Sequence, residues 1–466
     1  MRYRYRTDEE LKDSGVEWIG KIPKDWEVLK LKRIIHNIKN GIWGDYERHN
    51  SDDIPCIRIL NFERNKMQVN IDDLTFRNIP KEKQREYLLN KGDLLIEKSG
   101  GGEKNPVGFV VIYNYTLPAV YANFIAKISL NDKGDSSYVK YICSNIYNKR
   151  IHMDSVNQTT GIQNLDTEKY ISRVIAIPYI KEQEKIANLL DKKTSQFDSI
   201  ISKKEKLIEK LEEAKKSLVS EVVTGKVKVV KTDDGYELVK RKSDEMKDSG
   251  VEWLGDIPKD WEVKKLKYLL SKIGSGKTPK GGADVYQDKG VVFMRSQNVH
   301  NTGLILDDVV YISNKIDEEM KNSRVQRQDI LLNITGASIG RTSIFEFDNL
   351  KANVNQHVCI LRPKPTVILP TLLNKIIQSD YIQEQIQFMQ TGSSREGLNF
   401  EQIGNMILFI NEDIDVQKNI DIFLYEKLRN INLLVSKVKT QIEKLKEAKQ
   451  SLISEAVTGK IEILDY

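Results

Sequence analysis

The sequence predicts a duplicated α/β chain: two mixed α+β globules joined by long helices that form an antiparallel coiled coil, the halves being related by a pseudo-two-fold axis. Three observations predict it. Lys12 to Lys32 (KDSGVEWIGKIPKDWEVLKLK) returns as Lys247 to Lys267 (KDSGVEWLGDIPKDWEVKKLK) with three differences, and Ile208 to Lys226 (IEKLEEAKKSLVSEVVTGK) returns as Ile442 to Lys460 (IEKLKEAKQSLISEAVTGK). The two pairs are offset equally to within one residue, so ends are kept while middles diverge, which suggests one scaffold carrying two different surfaces. Between the repeats lie short apolar runs bounded by turn residues, and each half closes on a long stretch of heptad periodicity without Pro or Gly.

Taken in order, residues 1–20 form a polar arm. The first globule spans 21–180, with Ile22-Pro23 and Trp26 at its entry, where a repeated tryptophan is first of all core. Strands are expected over Pro55 to Asn61, Asp93 to Glu97, Val107 to Tyr113, Phe124 to Leu130 and Val174 to Ile177, with a helix near Tyr138 to Asp154. A spacer helix follows over 181–225, then a charged linker and the repeated arm over 226–255. The second globule spans 256–412, with strands over Val291 to Arg295, Asp329 to Ile334, Thr342 to Phe347, Val358 to Leu361 and Met406 to Ile410. A second spacer helix covers 413–460.

The seam of the first helix is Leu190, Phe197, Ile200, Leu207, Leu211 and Leu218; that of the second is Leu424, Ile431, Leu434, Val438, Leu445 and Leu452. Two helices with matching stripes are most simply buried by each other, and an antiparallel pair gives the pseudo-two-fold axis and brings the chain ends together. A second apolar set, Ile208, Val219, Val222 and Val223 with Ile442, Ile453, Ala456 and Val457, either packs on the chain's own globules or docks another subunit.

With 466 residues, 30% charged and 39% hydrophobic, the chain is long enough for real cores. Its net charge of +6 permits an acidic partner without requiring one. Cys56, Cys143 and Cys359 are far apart and form no C-x-x-C, which speaks for a reducing compartment and against zinc or disulfides. The first residues lack an apolar signal core and no apolar run is long enough to span a bilayer, so the expectation is a cytoplasmic protein with no membrane role.

Several catalytic patterns fail. Gly274 to Thr278 (GSGKT) has Ser271 where the first glycine of a P-loop belongs, and an apparent helix rather than a strand before it. Ser99 to Gly102 lacks the following helix of a dinucleotide fingerprint. Asn105-Pro106-Val107 lacks the second proline and the aromatic that base-flipping methyltransferases use, and the E-x-K spacings at Glu10 and Glu245 lack a preceding Pro-Asp. His36, His49, His152, His300 and His357 stand singly, so neither a metal site nor a catalytic residue is assigned.

What remains is binding chemistry. The loops are rich in the side chains that contact base edges and phosphates. In the first globule the candidate DNA-binding residues are Arg58, Asn61, Lys98, Ser99, Lys104, Gln158, Thr159, Thr160 and Gln163. In the second they are Lys277, Thr278, Arg295, Gln297, Asn298, Asn333, Thr335, Arg341, Asn355, Gln356, Thr391, Ser393, Ser394 and Arg395.

Ser14 to Trp18 with Ile22-Pro23 and Trp26, repeated at Ser249 to Trp253 with Ile257-Pro258 and Trp261, carry a family resemblance over essentially the whole chain. Gly276 to Pro279, Asn355-Gln356, Ile177-Pro178 through Glu182-Gln183 to Ile186-Ala187, and the helix ends Val223 to Lys226 and Val457 to Lys460 belong to the same pattern. The chain resembles the specificity subunit of type I restriction-modification systems. That resemblance implies two target-recognition domains on double-stranded DNA, each reading one half of a bipartite asymmetric site, with the helices fixing the gap. It implies no catalysis in this chain, and partners in two modification (methyltransferase) subunits and restriction (translocase/nuclease) subunits. S-adenosylmethionine, ATP and Mg are then expected in those partners and no cofactor here. Gly41-Ile42-Trp43-Gly44 departs from the Gly-Lys-Thr-Pro element of the second half. A free-standing DNA methyltransferase or nuclease, or a coiled-coil scaffold, are the alternatives.

Overall fold

The computed structural model describes residues 2–159, 161–251, 255–390 and 397–464. Two compact units emerge, Met1–Lys206 with Val438–Tyr466, and Leu207–Lys437. The second is one continuous stretch of chain, whereas the first is assembled from both ends of the sequence. Each takes the start of one long helix and the end of the other, the helices being Ile180–Val223 and Ile414–Val457.

In the first unit a six-stranded sheet runs in the order Ile35–Asn40, Ile125–Leu130, Leu94–Glu97, Val110–Ile112, Gln68–Val69, Phe62–Glu63. Leu94–Glu97 and Val110–Ile112 are buried at every residue, as continuous apolar runs at a sheet centre should be. A second sheet orders Val120–Tyr121, Asp53–Ile57, Thr75–Asn78 and Asp45–Tyr46. The helix Ser136–Asn148 starts at Asp135, whose carboxylate accepts from Tyr138 N at 2.8 Å, and is buried from Tyr138 to Tyr147. It stops short of the expected Asp154 because Arg150 takes a left-handed φ of 57°, after which Ile151–Ser155 forms a 3-10 turn.

The second unit repeats this plan. Leu270–Ser275, Val358–Pro363, Ile330–Asn333 and Thr342–Ile344 form one sheet, and Val310–Ile312, Val291–Met294 and Ala352–Val354 another. The diverged middles therefore keep one topology. The strand Leu270–Ser275 stands where the sequence suggested a helix before GSGKT, and only a 3-10 turn, Gly282–Val285, follows it. A phosphate cradle needs the helix N-terminus that is missing after this loop.

Within each unit the long helices run antiparallel. In the first, Lys204 Nζ donates to Gln441 at 2.7 Å and Lys449 Nζ to Asp198 at 2.6 Å, so partners fall in one helix as they rise in the other. In the second, Lys215 Nζ donates to Asn432 at 2.9 Å while Val222 and Val223 share a core with Ile420, Phe423 and Leu424. The heptad seam needs correction at its middle. Leu190, Leu424, Val438 and Leu452 are buried, and Phe197, Leu211, Leu218, Ile431 and Leu445 half-buried. Ile200, Leu207 and Leu434 are 44%, 43% and 49% exposed, with Ile201, Val435 and Ile442 buried instead. A straight helix of 3.6 residues per turn drifts about 20° per heptad against a 3.5 repeat, so one frame cannot hold over 44 residues. The second apolar set divides the same way: Val222 and Val223 lie in the second unit's core, and Ile453, Ala456 and Val457 in the first's, on the chain's own globules.

A buried glutamine anchors each helix start. Gln183 donates to the carbonyls of Lys133 and Pro178 and accepts from Asp135 N, all at 2.9 Å. Gln417 does the same with Val367, Asn411 and Leu369 N. The helix ends close on the repeated tryptophans. In the first unit Gly459, at φ +72°, lies against Pro23 and Trp26; in the second Gly225, at φ +72°, lies against Pro258 and Trp261.

The stretch expected as a charged linker is a hairpin, Val227–Thr232 against Gly235–Lys240. Its counterpart in the first unit is the terminal pair, Arg2–Tyr5 against Ile461–Leu464. Arg2 faces Leu464 as Glu237 faces Val230, and Tyr5 faces Ile461 as Lys240 faces Val227. The first and last described strands are paired, as the antiparallel arrangement of the helices predicts.

Candidate nucleic-acid interface

Both units build the same turn beside the same loop. After the strand Asp53–Ile57 comes Arg58 and a 3-10 turn to Asn61; after Val291–Met294 comes Arg295 and a turn to Asn298. Asn61 Oδ1 accepts from Arg58 N at 2.9 Å, and its amide donates to Asn70 O and Asp73 O at 3.2 and 2.8 Å. Asn298 accepts from Arg295 N at 2.9 Å and donates to Ile305 O and Asp308 O, both at 3.1 Å. These asparagines, 4% and 1% exposed, build the turn: both amide hydrogens are spent on backbone carbonyls and burial keeps the rest from a base. The arginines they hold are half-buried, each with its Nε buried and without a hydrogen-bond partner. Arg295 Nη2 also donates to Asp308 O at 3.3 Å, so the turn orients this guanidinium from within the fold.

The loop beside each turn is fixed by a glycine. Gly41 N donates to Ile125 O and Ile42 N to Tyr121 O, both at 2.9 Å; Gly276 N donates to Asn355 O at 3.1 Å. A Cβ on Gly41 would strike the Tyr121 and Ala122 carbonyls, and one on Gly276 the Val354 carbonyl, so only glycine lets the loop cross the strand. In the second unit this carries Thr278 to Gln356, which accepts from its hydroxyl at 2.5 Å. Gln356 Nε2 and His357 Nε2 are 3.0 Å apart, and His357 Nδ1 is 2.5 Å from Thr335 Oγ1. Thr278 and Gln356 are exposed, Thr335 half-buried. Four side chains from three loops thus form one polar chain at the surface.

The other sequence candidates separate by burial. Gln163 is buried, its Oε1 3.3 Å from Val107 N; Asn333 is buried, donating to Ser296 O at 2.8 Å; and Asn355 is buried, accepting from His357 N at 3.0 Å. They support loops. Ser99 donates to Asn164, and Gln297 to Asp308 at 2.6 Å. Lys104, Gln158, Lys277 and Arg341 are exposed, and Lys98 half-buried. Among the described residues none of Lys98, Lys104, Lys277 and Arg341 makes an ion pair, leaving them available to phosphate. Other cations are tied up: Arg64 pairs with buried Glu97, whose carboxyl burial pushes up, and Arg362 pairs with Asp329 at 2.7 Å. Thr160, Thr391, Ser393, Ser394 and Arg395 lie outside the described residues, as does the Thr159 side chain.

Arg77, Asn123 and Phe124 are not among the sequence candidates, and Trp43 stands there only in the Gly41 to Gly44 stretch that departs from the Gly-Lys-Thr-Pro element. They lie at the first unit's equivalent of the polar chain, Trp43 43% and Phe124 53% exposed, with the Arg77 guanidinium 3.7 Å over the Trp43 ring. The alignment of Gly41 with Gly276 was legible in the sequence, and carrying it from Thr278 to Trp43 and from Gln356 to Asn123 is the step that finds this surface. Among the described residues no group of His, Cys, Asp and Glu is placed to hold a metal ion, and no helix is long and apolar enough to cross a membrane.

The family model described as type I restriction modification DNA specificity domain matches residues 23–213 and again 258–444. The putative type I restriction enzyme MjaX specificity subunit of Methanocaldococcus jannaschii is 25% identical over 462 residues, covering 96% of each chain. The type I restriction enzyme EcoBI specificity subunit of Escherichia coli is 22% identical, covering 98% of this chain and 90% of its own. A chain solved in work on complex assembly and conformational transition of the type I R-M system shares the fold with a TM-score of 0.71 at 12% identity, over 94% of this chain and 99% of that one. Two matches to one domain model, on two units that repeat one topology and one turn, make this chain a member of the type I restriction-modification DNA specificity family.

Proposed function

We propose that the chain reads a bipartite, asymmetric site on double-stranded DNA, one half-site per unit. The observation that carries this reading is the turn built twice around Arg58 and Arg295, with different exposed side chains beside it: Trp43 and Phe124 in one unit, Thr278 and Gln356 in the other. Equal scaffolds with unequal reading groups call for unequal half-sites. The two arginines suit guanine O6 and N7, and Gln356 suits adenine N6 and N7. Lys98, Lys104, Lys277 and Arg341 supply backbone contacts. The long helices set the unspecified gap. Two modification subunits and the restriction subunits join this chain in the cytoplasm and bring S-adenosylmethionine, ATP and Mg, so that this chain recognises while its partners react.

The test is to co-express the chain with modification subunits from its own source, purify through a tag on this chain, and map methylated adenines by long-read sequencing. A bipartite asymmetric motif with a fixed gap is expected. A symmetric or continuous motif would count against two independent readers, and methylation by the chain alone would favour the free-standing methyltransferase.

A further inference from the structure

The first unit carries an open apolar depression of about 480 Å³ lined by Trp43, Arg58, Ile59, Leu60, Ala122, Asn123 and Phe124. Its rim is unusual for a surface: Leu60 is 83% exposed, Phe124 53% and Trp43 43%. Apolar groups held in water at loop tips gain nothing for the fold, and grouped around one depression they mark a contact surface. The site is built. Gly41 seats its loop against the Tyr121 and Ala122 carbonyls, and Arg77 stacks on Trp43 at 3.7 Å and lies 5.1 Å from the Tyr46 ring. The lining holds one cation, Arg58, and no carboxylate. An anionic polymer with an apolar group on its reading edge matches this combination.

We infer that this depression reads an A·T pair of the first half-site in the major groove, the thymine C5-methyl entering between Trp43, Leu60 and Phe124. The major-groove edge of that pair offers one methyl group beside the adenine N6 and N7 pair. Exposed Asn123, on the same rim, supplies the amide that adenine takes bidentately. In the second unit the corresponding positions are Thr278, Gln356 and His357, joined in a polar chain, so the methyl contact belongs to one half-site only. The inference rests on the DNA-reading proposal above.

The test uses the purified complex with its modification subunits and a duplex bearing its mapped motif. Each thymine in turn is replaced by deoxyuridine, which removes the methyl and nothing else, and affinity is measured with the native chain, Trp43→Ala and Leu60→Ser. One thymine should lose about three- to tenfold in affinity, the worth of one buried methyl contact. In Trp43→Ala or Leu60→Ser the same replacement should be nearly neutral, since the pocket wall is gone. Both side chains sit at the rim, and Leu60→Ser guards against a misfolded Trp43→Ala. A motif without deoxyuridine sensitivity, or sensitivity that survives both variants, overturns the inference while leaving the two-reader proposal standing. Equal weakening by Trp43→Ala on every duplex also overturns it, pointing to an apolar wedge between base steps. Absence of any sequence-selective binding would instead remove the DNA-reading proposal itself.

Discussion

At the scale of single residues, the chain spends its polar side chains on loops before it spends them on partners. Asn61, Asn298, Asn333 and Gln163 have the residue types that read bases, yet each is buried and bonded to backbone. An amide serves a turn and an adenine with the same atoms, so the sequence could not separate the two uses. His152 shows another limit. It looked like one scattered histidine, but it is fully buried, stacked on Tyr147 at 4.8 Å, with both ring nitrogens lacking hydrogen-bond partners. Burial, helped by the nearby Arg173 and Arg150 charges, pushes it down to about 4 from 6.5. Its folded value lies below its unfolded one, so unfolding takes up a proton between those values and stability falls as pH drops from about 6.5 to about 4. Equilibrium unfolding followed from pH 7.5 to pH 4 should show a shallower acid limb in His152→Phe, which keeps the stack without the titration. An unchanged slope would mean that other groups set the acid limit.

Among elements, periodicity made the two long helices legible to within three residues at either end, and repetition made the tryptophan arms legible, because both signals are local. The seam was less so, since burial at Ile201, Val435 and Ile442 depends on where each helix has drifted relative to its partner. The hairpin Val227–Thr232 with Gly235–Lys240 was hidden by its charge, half its strand residues being exposed edge. The helix ends are more sharply specified. Gly459 sits at φ +72°, its would-be Cβ in the Pro23 ring and 3.2 Å from Trp26. Gly459→Ala should therefore cost about 2 kcal/mol from the left-handed backbone and the collision together, read as a lower urea midpoint; Gly225→Ala should match it against Pro258. The spacer makes its own prediction. Inserting one heptad into both helices should lengthen the methylated motif's gap and leave both half-sites as they were, whereas altered half-site bases would sink the ruler.

For the whole molecule, the decisive fact is that the termini and the central hairpin are one structure, once cut and once joined. Arg2–Tyr5 pairs with Ile461–Leu464 in the register that Glu237–Lys240 keeps with Val227–Val230. Around the hairpin, Lys231 and Thr232 lead into Asp233, Asp234 and Gly235 before Tyr236. Counting by the same register, Asp465 and Tyr466 correspond to Lys231 and Thr232, and Met1 to Tyr236, so an Asp-Asp-Gly insertion between Tyr466 and Met1 restores the missing turn. A permutant joined by Asp-Asp-Gly and opened between Asp233 and Asp234 keeps every strand pair, both helices and both tryptophan closures. It should unfold at the same urea midpoint as the native order and, with modification partners, methylate the same motif with the same gap. The control is a permutant opened inside a long helix, between Leu207 and Ile208. That cut breaks the helix in mid-run, and should cost cooperativity and change or abolish the fixed gap. If the two permutants behave alike, the helices are not what holds the two readers in register, and the gap is set by the partner subunits instead.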